Sequence, residues 1–230
     1  MTAQRWVRVR QIVQYLFLAL FLYLFILTVK DRWSPLPVDL FYRLDLLGAI
    51  SASLAGRTIP TKLLWALITL AATLILGRVW CGWVCPLGTL LDLFRFRRAA
   101  FHSRHSWRQV KYFLLFVVLI SALFANLTLL ILDPITVLTR TLATVVMPAL
   151  NYAFITVEFW LYGFGPLQAP LVWLDTALRS TILPVEQSFY QLNVLFALLF
   201  VGIVSLNLLA ERFWCRYLCP LGALLGLLSK

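Results

Sequence analysis

Four residues of this chain can ligate a soft metal through sulfur: Cys81, Cys85, Cys215 and Cys219, its only cysteines. They form two pairs with one spacing. Residues 78–91 read Arg-Val-Trp-Cys-Gly-Trp-Val-Cys-Pro-Leu-Gly-Thr-Leu-Leu, and residues 212–225 read Arg-Phe-Trp-Cys-Arg-Tyr-Leu-Cys-Pro-Leu-Gly-Ala-Leu-Leu. The offset is 134 throughout, and nine of fourteen positions are identical. Cysteines four apart share one face of a helix. Pro86 and Pro220 lack the N–H that a continuing helix needs, so Cys85 and Cys219 are better read as N-caps with proline at the first helical position. A thiolate there gains from the helix dipole and free N–H groups, which lower its pKa. Gly88 and Gly222 leave room for close approach. Arg78 and Arg212 suit either interface anchors or counter-charges to an anionic centre. Trp80 and Trp214 flank the first cysteine of each pair. Four thiolates complete an iron–sulfur cluster or an all-cysteine zinc site, and paired thiols also suit copper transfer or a thiol–disulfide relay.

These pairs need a scaffold, and the composition says which kind. Hydrophobic residues make up 62% and charged residues 13%, with a mean hydropathy of +0.90. That is far from the roughly 45–50% apolar and 25% charged of soluble domains. The net charge of +11 reads as Lys and Arg gathered on the cytoplasmic side of a membrane rather than as nucleic-acid binding. Uncharged runs at 12–29, 63–76, 112–132 and 194–210 are the expected spans. Residues 40–54 fit a short helix on the outer face, and 87–96 and 221–228 fit short helices along the inner face. Residues 77–111 hold seven Lys and Arg against one acid, Asp92, and mark the cytoplasmic side. His102 and His105 lie in this loop and read as solvated.

The fold expected is an all-α integral membrane protein of about four transmembrane helices, arranged as two tandem helical-hairpin repeats that each end in CxxxCP. Residues 1–98 form the first repeat and 99–230 the second. Pro35 and Pro134 break the chain after the first span of each. Both termini and both cysteine pairs then face the cytoplasm. The outer segment 133–190 carries Arg140 and Arg179 against Asp133, Glu158, Asp175 and Glu186, and is otherwise apolar and aromatic. It is expected to lie on or dip into the outer leaflet, with 141–157 as an optional added span. Phe154, Phe159, Trp160, Tyr162, Phe164 and Trp173 are a candidate platform for a quinol or a partner, and Glu158 a candidate proton acceptor.

The two motifs resemble those of the NapH, NosR and CcoG group of bacterial membrane iron–sulfur proteins. Trp80-Cys81-Gly82-Trp83-Val84-Cys85-Pro86-Leu87-Gly88 is similar to their first motif. Phe213-Trp214-Cys215-Arg216-Tyr217-Leu218-Cys219-Pro220-Leu221-Gly222 is similar to their second. The resemblance implies polytopic inner-membrane proteins with four-iron (4Fe-4S) clusters. It also implies electron transfer between quinol and ferredoxin-like or respiratory partners, or a part in metal-centre assembly. Those families usually continue into a cytoplasmic ferredoxin domain. This chain stops at Lys230, eleven residues after Cys219. The expectation is a truncated chain or a minimal form served by a separate ferredoxin.

Overall fold

A computed structural model describes residues 3–29, 36–58, 63–77, 79–94, 107–163, 168–181 and 192–229. All regular structure among them is helical. The α-helices are α1 (Ala3–Val29), α2 (Leu40–Leu44), α3 (Leu46–Gly56), α4 (Leu63–Leu76), α5 (Pro86–Leu93), α6 (Trp107–Leu123), α7 (Pro134–Thr141), α8 (Met147–Leu161), α9 (Gln168–Thr181), α10 (Asn193–Leu206) and α11 (Pro220–Leu228). Wide π turns occupy Trp80–Val84, Leu142–Val146 and Trp214–Leu218.

Among the described residues two helices are long and apolar enough to cross a membrane: Arg5–Thr28 within α1, and Pro134–Leu161, in which α7 and α8 run on through a π turn. At 1.5 Å per residue the second reaches about 42 Å. The apolar helices α3, α4, α6 and α10 are shorter. Large apolar side chains cover the exterior, with Ile75, Phe124 and Phe159 about four-fifths exposed. A soluble monomer rarely shows so much apolar surface.

Each half then does something the hydropathy did not predict. After α1 the chain folds back inward rather than passing along the outside. Phe41 meets Phe21 edge-on, with ring centroids 5.2 Å apart. Thr69, midway along α4, donates its hydroxyl to the Leu44 carbonyl at 2.7 Å. Asp45 stops α2 and caps α3, accepting from the Leu47 and Gly48 N–H groups at 3.0 and 3.1 Å. A single helix over 40–54 is thereby split in two.

In the second half the expected span 112–132 is likewise broken. α6 begins earlier, at Trp107, and ends at Leu123. Ala125 takes a left-handed backbone (φ 57). The Ser121 hydroxyl donates to the Asn126 carbonyl at 2.7 Å, and the Asn126 side chain accepts from the Thr128 N–H at 2.9 Å. These local polar bonds compete with the helix and end it. A 3₁₀ turn, Thr128–Leu132, leads to Asp133, which caps α7 through the Ile135 and Thr136 N–H groups at 3.0 and 3.2 Å. The counterpart of Asp133-Pro134 is therefore Asp45-Leu46. Pro35, the break expected to match Pro134, lies outside the described residues.

Candidate metal centre

The two cysteine motifs fold alike. α4 ends at Gly77, whose φ of 74 gives the left-handed turn that favours glycine. The following π turn is closed by the Cys85 N–H to the Trp80 carbonyl at 2.9 Å. Cys85 then leaves helical geometry (φ −64, ψ 116) and stands as the N-cap of α5, with Pro86 in the first turn. In the second motif the Cys219 N–H reaches the Trp214 carbonyl at 2.9 Å, and Cys219 (φ −68, ψ 115) caps α11 before Pro220. Proline cannot extend the preceding helix but suits the start of the next. The Cys219 sulfur also accepts from the Gly222 N–H at 3.3 Å. A Cβ at Gly88 would stand 3.2 Å from the Cys81 carbonyl, and one at Gly222 3.2 Å from the Cys215 carbonyl. Glycine is what lets each helix start sit against its own motif.

The fold brings the two motifs to one place. Cys81 and Cys215 line a cavity of about 560 Å³ together with Arg10, Lys111, Arg212 and Arg216. Cys85 and Cys219 are buried. The charge of Cys215 acts on Cys85 and on Cys219, and that of Cys81 acts on Cys215 and on Cys219. All four cysteines are free thiols. Among the described residues no three His, Cys, Asp or Glu side chains meet closely enough to hold a single ion.

These thiols lie outside the long apolar helices, yet burial dominates their chemistry. Loss of solvent, with the neighbouring Cys215 charge second, pushes the Cys85 thiol up to about 12 against the Gly88 and Leu87 N–H groups. Loss of solvent, then the Cys81 charge, pushes Cys215 up to about 12, and Arg212 only partly opposes it. Cys219 moves up well above its usual range for the same first reason. The expected lowering by the helix start is outweighed by desolvation. Without a metal Cys85, Cys215 and Cys219 hold their protons, and a bound metal would take the protons' place.

Asp92 is the residue the sequence reading passed over. It accepts from Arg212 through Nε at 2.6 Å and through Nη2 in a second, shorter bond, and Arg10 stands 3.8 Å away. Gln14 of α1 donates to the Gly82 carbonyl at 2.8 Å and to Asp92 at 3.4 Å. Arg212 also donates to the Cys81 carbonyl at 3.3 Å, while its own N–H donates to the Asn207 side chain at 2.7 Å. Asn207 in turn donates to the Leu91 and Phe94 carbonyls at 2.8 and 2.7 Å. The second motif thus grips the first through side chains, and Arg212 is a clamp between repeats as well as a charge beside the thiols. A signal existed: Asp92 is the one acid in a stretch with seven basic residues.

Trp80 and Trp214 are buried, and neither indole N–H has an acceptor. Two orphaned donors at equivalent positions, four thiols, two glycine cradles and a basic rim suit an anionic thiolate-bound cluster. Arg78, His102 and His105 lie outside the described residues, as does Phe164. Glu158 is elsewhere, on α8, beside a shallow cavity with Ile155, Phe159, Tyr162 and Gly163. Phe159, Trp160 and Trp173 are largely exposed.

The comparisons with known proteins agree with this chemistry. A family model for a 4Fe-4S binding domain matches residues 58–104 and 192–230, one cysteine pair in each segment. A protein of Methanocaldococcus jannaschii is 29% identical over 169 residues, 70% of this chain and 52% of its own length. The ferredoxin-type protein NapH of Escherichia coli is 26% identical over 239 residues, 99% of this chain and 67% of its own. The protein NirI of Paracoccus denitrificans is 28% identical over 169 residues, 73% of this chain and 20% of its own. The chain thus spans about half of the first relative and a fifth of the third. No solved structure matches it. The two cysteine segments match a 4Fe-4S binding domain, and the chain, an iron–sulfur cluster binding protein, is similar to NapH and NirI.

Proposed function

We propose that Cys81, Cys85, Cys215 and Cys219 together hold one 4Fe-4S cluster, and that the protein passes electrons through it between a membrane donor and a redox partner. The observation that carries this is that Cys81 and Cys215, one from each motif, line one cavity rimmed by Arg10, Lys111, Arg212 and Arg216, while their partners Cys85 and Cys219 are buried. Four thiolates close the coordination of a cluster, which supplies one-electron chemistry when bound. The chain's own part is to keep the thiols out of water, balance the negative charge, and turn N–H groups toward sulfur. Asp92 and Arg212 hold the two halves in register for that purpose.

The donor side has a site of its own. A cavity of about 360 Å³ lies between the outer half of α1 and the α7–π-turn segment. Phe21, Phe25 and Phe41 give it apolar walls, and Tyr42, Thr139 and Arg140 its polar groups. Tyr42 and Thr139 share a short hydrogen bond. An apolar cavity with a few convergent polar groups fits a quinol ring better than the exposed aromatics of α8 and α9 do. The acceptor is a ferredoxin-like or respiratory redox protein at the basic rim. The protein lies in a bacterial inner membrane, with α1, α4, α6 and α10 crossing it, the α7–α8 helix leading from the Asp133 break back to the outer side, and the cysteine cavity facing the cytoplasm.

The test is whether the cysteines act as one unit. Cys81→Ser and Cys215→Ser should each lose most of the bound iron and sulfide under anaerobic purification. The double variant should lose little more, because members of one site are non-additive. Losses of half each that add would mean two separate sites. Stoichiometric zinc with no reducible signal would mean a structural or assembly role.

A further inference from the structure

The two re-entrant segments end on the same residue type. Asp45 and Asp133 start α3 and α7, one from each repeat, and are 2% and 0% exposed. Their carboxyl groups approach within hydrogen-bonding range of each other. Both oxygens of Asp45 already accept backbone N–H groups. On Asp133, Oδ2 accepts two, while the buried Oδ1 receives no hydrogen bond from any N–H or O–H. A carboxylate cannot donate. Two carboxylates this close and this deep cannot both ionise without a large cost. A single proton held between them removes the like-charge repulsion and gives Oδ1 its missing donor.

We propose that Asp45 and Asp133 form one proton-sharing pair whose proton occupancy is linked to the oxidation state of the cluster at the four cysteines. The inference rests on the cluster reading above. The link is electrostatic. The charge of Asp133 acts on Cys85 and on Cys219. α7 packs against α5, and α3 against α11, the two helices that these cysteines cap. In a low-dielectric interior such charges interact strongly. When a quinol or a reduced redox protein adds one electron to the site, the pair, already holding its shared proton, takes up a second proton from water. When the electron leaves, the proton is released.

The other groups near the pair are few. Tyr42 of α2 and Arg140 of α7 feel or share its field, and both line the cavity of the donor side. Arg43 of α2 is engaged by Asp39 at 2.7 Å. Cys85 and Cys219 face it from α5 and α11. Lys111 and Tyr112 sit at the opposite, cysteine-cavity end of α6. Tyr42 and Thr139 bring hydroxyls to the wall of the donor-side cavity, hydrogen-bonded to each other.

Anaerobic redox titration of the cluster-loaded protein over a series of pH values tests the coupling. The midpoint potential should fall with rising pH, by up to about 59 mV per tenfold drop in proton activity for one proton per electron. Asp45→Asn and Asp133→Asn should flatten that slope while keeping the iron. Asparagine caps a helix as well as aspartate does, so the fold survives. A pH-independent wild-type potential, or a slope that persists in both variants, overturns the coupling.

Infrared spectroscopy of the metal-free protein tests the pair alone. At neutral pH it should show a protonated-carboxyl C=O stretch that shifts in D₂O and disappears in either Asn variant. There the amide N–H replaces the proton as donor. Absence of that band overturns the shared proton. If the cysteines hold no cluster, the coupling falls with the proposed function, and the band still decides the pair.

Discussion

Cys85 and Cys215 show how a residue's neighbours compete. Each has hydrogen-bond donors or a cation that favours thiolate, and each is pushed up to about 12 because burial costs the charged form more. Between the ordinary value of 9.0 and about 12, the folded metal-free protein holds protons that the unfolded chain releases. The unfolding free energy of that form therefore falls as pH rises through this window, and the contribution is complete below it. Two measurements check the sign. Denaturant unfolding of the metal-free protein should lose stability from about pH 9 upward. Alkylation of these thiols should stay slow at neutral pH and keep climbing past the point where a free cysteine levels off. Fast alkylation at neutral pH would mean that the helix-start N–H groups prevail. Asp92 belongs to the same scale: one carboxylate serves Arg212 and, from α1, Gln14 and Arg10, and so ties two segments to the first motif.

Among the elements, the broken helices matter most. α3, α5, α7 and α11 all begin inside the protein, the first and third on aspartate and the others on cysteine. Each start offers free N–H groups and the positive end of a helix dipole. Such ends favour negative charge at their caps, the two aspartates and the two cysteines, as in membrane proteins that use discontinuous helices, though at the cysteines burial is the larger effect. The π turn Leu142–Val146 has a different part. π turns recur at functional sites, and this one brings Ala143 and Thr144 into the wall of the apolar cavity. Ala143→Trp should fill that space. Quinol-driven reduction of the cluster should weaken about tenfold or more, about 1.4 kcal/mol of binding. Reduction by dithionite should not change. Equal loss with both reductants would place the effect on the cluster and not on quinol access.

At the scale of the molecule, the repeats meet so that neither motif is complete alone. The second motif's Arg212 bonds the first motif's Cys81 carbonyl, and Asn207 holds the end of α5. Such an arrangement requires both motifs on one side of the membrane. In the proposed topology the basic stretch 77–111 puts that side in the cytoplasm. Reporter fusions after residue 100 and at residue 230 should both report cytoplasm, and a fusion near 165 the outer side. A split result, with the motifs on opposite faces, contradicts the shared site.

The two cysteine motifs and their helix starts were legible in the chain itself. Duplicated CxxxCP spacing is local, and proline after cysteine dictates a helix start wherever it falls. The apolar runs located α1, α4 and α10 because burial of a continuous helix in lipid leaves a continuous hydropathy signal. The re-entrant turns left none. Asp45 and Asp133 are single polar residues inside apolar stretches, where a capped, broken helix and an unbroken one have nearly the same composition. Only the tertiary structure decides that the two aspartates face each other, since that contact joins segments 88 residues apart. The thiols' chemistry was misjudged for a related reason. A helix start is a local feature readable from sequence, but desolvation depends on everything packed around the site, and at these cysteines desolvation is the larger effect.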